Sequence, residues 1–159
     1  MRAGYHVAVS AGLSVGLQGL THSWPASLGC FFSGFLIDLD HYLEYFLIKR
    51  KFPFQYKELK DFCMYDRTNK LYLVFHGYEY LIILWLCLYA FSLNIVWLGV
   101  ALGLTVHLIL DQLTNPIKPL CYFLTFRIKN QFDKSKLLSE AYFQRQNVWE
   151  GQKPAKVSL

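Results

Sequence analysis

Charge is scarce in this chain. Asp, Glu, Lys and Arg make up 17% of its 159 residues, where a soluble domain carries roughly 25%. Cysteine is sparse as well. Cys30, Cys63, Cys87 and Cys121 lie far apart with no Cys-x-x-Cys pair. That excludes a disulfide scaffold and a zinc knuckle, and leaves the four as small hydrophobes. Only 5 prolines stand against 18% aromatic residues, which excludes collagen-like and disordered chains. Internal repeats are missing, and the one Gly-x-Ser-x-Gly match, Gly12-Leu13-Ser14-Val15-Gly16, falls inside an apolar stretch of helical length rather than at the strand-to-helix turn that a serine elbow needs.

What is present is apolar. Hydrophobic residues make up 54% of the chain and the mean hydropathy is +0.24. The length suits one compact unit, and the balance suits a bilayer. The expected fold is all-α: an integral membrane four-helix bundle with spans near 4–20, 24–48, 71–92 and 93–113, then an interfacial amphipathic helix over 120–132. Residues 1–132 form the membrane-embedded domain in this reading, and 133–159 a polar, basic C-terminal tail. Residues 4–20 contain no charged side chain and many small ones, which suits close helix packing in lipid. They are read as a retained span rather than a cleaved signal. Ser23 and Pro25 suit the start of the second helix. Ser92-Leu93-Asn94 is the turn of an antiparallel hairpin, and Asn115-Pro116 with Pro119 stops the fourth helix.

The net charge of +5 reads as topology. The basic residues fall at Arg2, in the 49–70 loop, and after 117, while the turns at 21–23 and 92–94 contain neither Lys nor Arg. Four spans put all three basic places on one side, which the positive-inside rule makes cytoplasmic. The expected location is the plasma (inner) membrane, multi-pass, with both termini cytoplasmic. The partners are membrane lipid and anionic headgroups, not nucleic acid.

The ionisable residues inside the spans fall at one depth. His6 lies near the start of the first span, Asp38, Asp40 and His41 in the second, His76 and Glu79 near the start of the third, and His107 and Asp111 near the end of the fourth. At 1.5 Å per residue, His76 is about 9 Å inside Lys70, and Asp38 about 16 Å inside Lys49. Asp38 and His41 (i,i+3), His76 and Glu79 (i,i+3), and His107 and Asp111 (i,i+4) each share a helical face. Asp40 points roughly 160° away from Asp38 around an ideal helix. It reaches a second metal only if span two sits between partners or unwinds near Gly34; otherwise it supports a ligand or caps a helix. Buried carboxylates are costly without a cation, and mixed N and O donors suit zinc first, with manganese or iron as alternatives. The candidate ligands are His6, Asp38, His41, His76, Glu79, His107 and Asp111, enough for two divalent ions. Asp40 and Glu79 are the candidate catalytic carboxylates. Arg67, Lys70 and Asn115 are candidate headgroup contacts, and Arg127 and Lys129 add positive charge at the same mouth. Such a centre activates water and orients a phosphoryl group.

The run Phe35-Leu36-Ile37-Asp38-Leu39-Asp40-His41 resembles the (P)DxDH signature of the YdjM-like family of small membrane-bound, metal-dependent hydrolases. His6, the His76-led motif and His107-Leu108-Ile109-Leu110-Asp111 match the family's other histidine positions, and the likeness covers residues 1 to about 120. Ile37 stands where the family usually has proline, and His76-Gly77-Tyr78-Glu79 departs from its two-histidine middle motif. The resemblance implies metal binding and hydrolysis. The ligand style is also similar to that of the helical zinc-dependent phospholipase C enzymes. That likeness implies a phosphoester in a lipid headgroup or a polyprenyl phosphate as substrate. Two other functions fit intramembrane His and carboxylate groups: an oligomeric transporter or channel for divalent metal or protons, and a metal-stabilised membrane scaffold. Ion flux in liposomes separates the first from a hydrolase. A stability loss with no activity to lose marks the second.

Overall fold

A computed structural model describes residues 3–52, 55–65, 69–115 and 117–144. Among these the chain is all-α. There is no strand, only the isolated antiparallel bridges Lys70–Asp133 and Ile117–Leu138. The helices are α1 (Ala3–Thr21), α2 (Trp24–Leu36), α3 (Asp40–Lys49), α4 (Tyr56–Tyr65), α5 (Tyr78–Phe91), α6 (Ile95–Thr114), α7 (Leu124–Lys129) and α8 (Lys134–Leu137). Helix α2 passes into α3 through one 3₁₀ turn, Ile37–Leu39.

Local sequence sets most of these boundaries. Ser23 caps α2, its hydroxyl accepting from Ala26 N, and Pro25 sits in the first turn, where a missing N–H costs nothing. Asn94 caps α6 through Val96 N at 3.0 Å, and Ser92 takes a left-handed φ of 46° to close the α5–α6 turn.

The bundle is organised by α2 and α6, which make its largest contact. They run parallel and lie backbone on backbone. A Cβ on Gly99 would overlap the Ala26 carbonyl, and one on Gly103 would overlap the Cys30 carbonyl and the Ser33 hydroxyl. Ser33 Oγ donates across this seam to Val100 O at 3.0 Å. Helix α1 runs antiparallel to α2 and packs on both helices. Ser27 Oγ donates to Gln18 Oε1 at 3.1 Å, and Ser10 lies where a Gly34 Cβ would stand. Helix α5 leans on α6 and buries none of its residues.

Several expected elements change. The third span does not run from 71. Residues 71–77 are non-helical, and α5 begins only at Tyr78. Its 14 residues span about 21 Å, short of a roughly 30 Å hydrocarbon core. Among the described helices, α6 alone is both long and apolar enough to cross a bilayer, with mean hydropathy 1.7. The 24–48 stretch is helical but broken by the 3₁₀ turn. The 120–132 amphipathic helix is replaced by a 3₁₀ turn at Pro119–Tyr122 and the six residues of α7. The boundary at 132 also moves. Leu137 and Leu138 of the supposed tail are buried with Leu71, Leu73 and Cys121 in one apolar cluster. Burial pushes the Cys121 thiol up to about 11, so it packs as a hydrophobe. Residues 145–159 lie outside the described part.

Replacing Gly103 or Gly99 by Ala should destabilise the fold by about 3 kcal/mol or more, the upper end for overpacking, because backbone rather than a flexible side chain must give way. Gly12 has open space around it. Gly12→Ala should be neutral or raise stability by up to about 1 kcal/mol. Thermal unfolding of the three variants in one detergent checks the contrast.

Candidate metal centre

Four elements converge at one end of the α1–α2–α6 bundle. His6 comes from α1, Asp38 from the 3₁₀ turn, His76 from the segment before α5, and His107 with Asp111 from α6. The close α2–α6 seam leads directly into them. The Gly34 carbonyl meets His107 Nδ1 at 2.8 Å. A carbonyl oxygen only accepts, so Nδ1 carries a proton, and in the neutral ring Nε2 presents a lone pair. His76 is set the same way. Its Nδ1 lies 3.1 Å from Asp40 Oδ2, and the same oxygen accepts from Phe75 N at 2.7 Å and His76 N at 3.3 Å.

Both bare Nε2 atoms face carboxylates. His107 Nε2 is 3.6 Å from Asp38 Oδ1 and 3.5 Å from Asp111 Oδ2. His76 Nε2 is 3.8 Å from Asp38 Oδ1 and from Asp111 Oδ2. His76 and His107 are each 1% exposed, and neither Nε2 has a hydrogen-bond partner. A lone pair held against an anion in a buried site is unfavourable unless a cation lies between them. The spacing agrees with this. These contacts are longer than hydrogen bonds, and four donors at about 2.1 Å from a tetrahedral ion stand about 3.4 Å apart. His6 completes the group, with Nε2 at 3.1 Å from Asp111 Oδ1 and its ring stacked on His107 at 4.0 Å. His6, Asp38, His76, His107 and Asp111 thus form a buried donor set that can hold a metal ion.

The expected ligands separate into those that meet and those that do not. His41 lies beside the cluster, its ring 5.5 Å from that of His76. Glu79 does not join it. The sequence argument placed His76 and Glu79 on one helical face, but the helix starts between them, so they diverge. Glu79 accepts from Leu124 N at 2.9 Å, Thr125 N at 2.8 Å and Thr125 Oγ1 at 2.8 Å, and thereby ties α5 to α7. Its expected roles as ligand and catalytic carboxylate are corrected accordingly. Asp40 reaches the site because the 3₁₀ turn winds the chain more tightly than an α-helix. It contacts the outer nitrogen of His76, and so orients a ligand.

The headgroup candidates also move. Arg67 lies outside the described residues. Lys70 Nζ donates to Gln131 O at 2.6 Å, and Asn115 Nδ2 to the Tyr122 hydroxyl at 3.3 Å, so each has a structural use. Lys129 is exposed, but Arg127 is not. It is 1% exposed, with Nη1 donating to the carbonyls of Tyr72 and Leu73 and Nη2 to His76 O at 2.8 Å. Burial pulls its guanidinium below the ordinary value, and the carbonyls compensate the buried charge.

Two residues take supporting positions that the sequence reading did not assign them, Arg127 having been read as positive charge at the mouth. Arg127 holds the His76 segment from one side, and Glu44 holds it from the other by accepting from Tyr72 N at 2.7 Å. The signal for Glu44 was its i,i+4 spacing from Asp40. For Arg127 it was a charge amid the apolar Leu-Thr-Phe-Arg-Ile-Lys run.

No protein-family model, curated protein or solved structure matches the chain. The site therefore stands on its own geometry.

Asp40→Asn should weaken metal affinity about 10–100-fold, the usual cost of disturbing a carboxylate behind a ligating histidine; competition with a chromophoric chelator measures it. Glu79→Gln should leave metal content unchanged and cost about 1–2 kcal/mol of stability through its weakened hydrogen bonds to α7. Metal analysis and thermal unfolding of the same preparation check both halves.

Proposed function

We propose that this protein is a membrane-embedded, metal-dependent hydrolase that cleaves a phosphoester of a lipid headgroup or a polyprenyl phosphate. One observation carries the reading: two buried imidazole lone pairs, from His76 and His107, aimed at the carboxylates of Asp38 and Asp111. His/carboxylate donors without thiolate suit zinc, manganese or iron. Such an ion supplies a bound water acidic enough to deprotonate near pH 7 and a Lewis acid for a phosphoryl oxygen. The chain's own groups do the rest. Asp40 and the Gly34 carbonyl fix the tautomers and directions of His76 and His107. The apolar walls of α1, α2 and α6 keep the centre at low dielectric. The likeness of the DxDH run and of His107…Asp111 to the YdjM-like family favours the same chemistry.

The outer surface favours a bilayer as the setting. Val15, Leu20, Leu28, Phe32, Ile82 and Leu86 are all exposed, and an apolar collar of this kind is unusual on a monomer in water. Four crossings with the centre near the cytoplasmic face remain the topology that the basic residues favour.

The test is metal content and phosphate release. Protein purified in mild detergent and placed in vesicles of anionic phospholipid, with or without polyprenyl phosphate, should carry zinc, manganese or iron and release soluble phosphoester or phosphate. His107→Ala should lower metal content and abolish turnover. Protein without metal above background, and without turnover on metal addition, overturns the reading. Ion flux through the vesicles in place of hydrolysis replaces it with transport.

A further inference from the structure

The donor atoms of the centre do not form one equivalent group. His6, Asp38, His107 and Asp111 each offer an atom within 4.8 Å of the others, and so, separately, do Asp38, His41 and His76. Asp38 belongs to both groups. Burial divides them further. The side chains of His6, His107 and Asp111 are 2%, 0% and 5% exposed, whereas Asp38 is 23% and His41 29% exposed. One side of the centre is sealed in the bundle and the other meets solvent.

We infer, on the metal reading above, that the protein has a second divalent-cation position, held by Asp38, His41 and His76 and open to solvent. Asp38 bridges it to the sealed position. The unpartnered Nε2 of His76, on a side chain 1% exposed, points into it. His41 has a second unpartnered nitrogen, Nδ1, with Glu44 Oε2 3.9 Å beyond. Glu44 adds negative charge beside His41, which favours a cation there. The ligand counts assign different characters to the two positions. Four protein donors close a tetrahedral ion and make it structural, whereas three donors leave a coordination place for water or substrate. The sealed ion holds α1, α2 and α6 together. The open one faces solvent, exchanges faster and is where an anionic oxygen can arrive.

The experiment counts ions. Full-length protein is loaded with excess Zn²⁺, desalted and analysed for metal per chain, then followed during exposure to a chelator. The native chain should hold two ions, one lost quickly and one slowly. His41→Ala should hold one, lost slowly, with a melting temperature in chelator equal to that of the native chain, because His41 sits on the exposed rim. A native chain with one ion, or a His41→Ala chain that keeps two or loses both, overturns the second position while leaving a metal protein. A native chain with none overturns the hydrolase reading as well. If His41→Ala does not fold, Co²⁺ titration of the native chain decides. Two successive absorption changes support two unequal positions, and a single saturating change refutes them.

Discussion

Two helices touch through their backbones, and the rest of the structure is placed by that contact. At Gly99 and Gly103 the α6 helix offers no side chain, so α2 settles against its peptide groups. On the proposed bilayer reading, where apolar side chains gain nothing by leaving tails for one another, such close approach would supply dispersion contacts and hydrogen bonds instead. One turn further along, the same stripe carries His107 and then Asp111. The facing stripe of α2 runs Ala26, Cys30 and Gly34, and the 3₁₀ turn that follows carries Asp38. Spacing of four keeps each set on one ridge. The depth of the seam is therefore what brings the Gly34 carbonyl within 2.8 Å of His107 and sets Asp38 beside it.

Around that seam the polar groups are arranged in two layers. The inner layer is carboxylate oxygen and bare imidazole nitrogen, which oppose each other without a positive ion. The outer layer holds the far nitrogens of both rings, His76 Nδ1 on Asp40 and His107 Nδ1 on the Gly34 carbonyl. Asp40 takes two backbone N–H groups as well as His76, and Arg127 takes three carbonyls from the same segment. The segment before α5 has no helix or strand to absorb its peptide groups, and these two charges, with Glu44 on Tyr72 N, take that role. Leu73 in this stretch adopts φ 36°, and its carbonyl is one of those Arg127 holds.

The all-α fold, the helix starts at Ser23 and Asn94 and the α5–α6 turn were legible because they depend on local chemistry. The gathering of His6, Asp38, His107 and Asp111 was legible because helical spacing and depth suffice for residues inside helices. His76 was found for a partly mistaken reason. Its helix starts too late to carry it, and its position depends on Arg127, about fifty residues away in the chain. Glu79 shows the same limit. A carboxylate at the first turn of an apolar helix looks like a site residue until one knows that the α7 amides stand opposite. Leu137 and Leu138 looked like tail because their burial comes from residues 71, 73 and 121, which no periodicity in the tail predicts.

The clamp on His76 also divides the centre between two parts of the chain. His6, Asp38, His107 and Asp111 meet through the packing of α1, α2 and α6, whereas His76 is held by the Arg127 guanidinium and lies on a segment bridged to the chain's last described third through Lys70 and Asp133. A change in that last third would therefore reach the centre through His76 alone, leaving the other four donors on their helices.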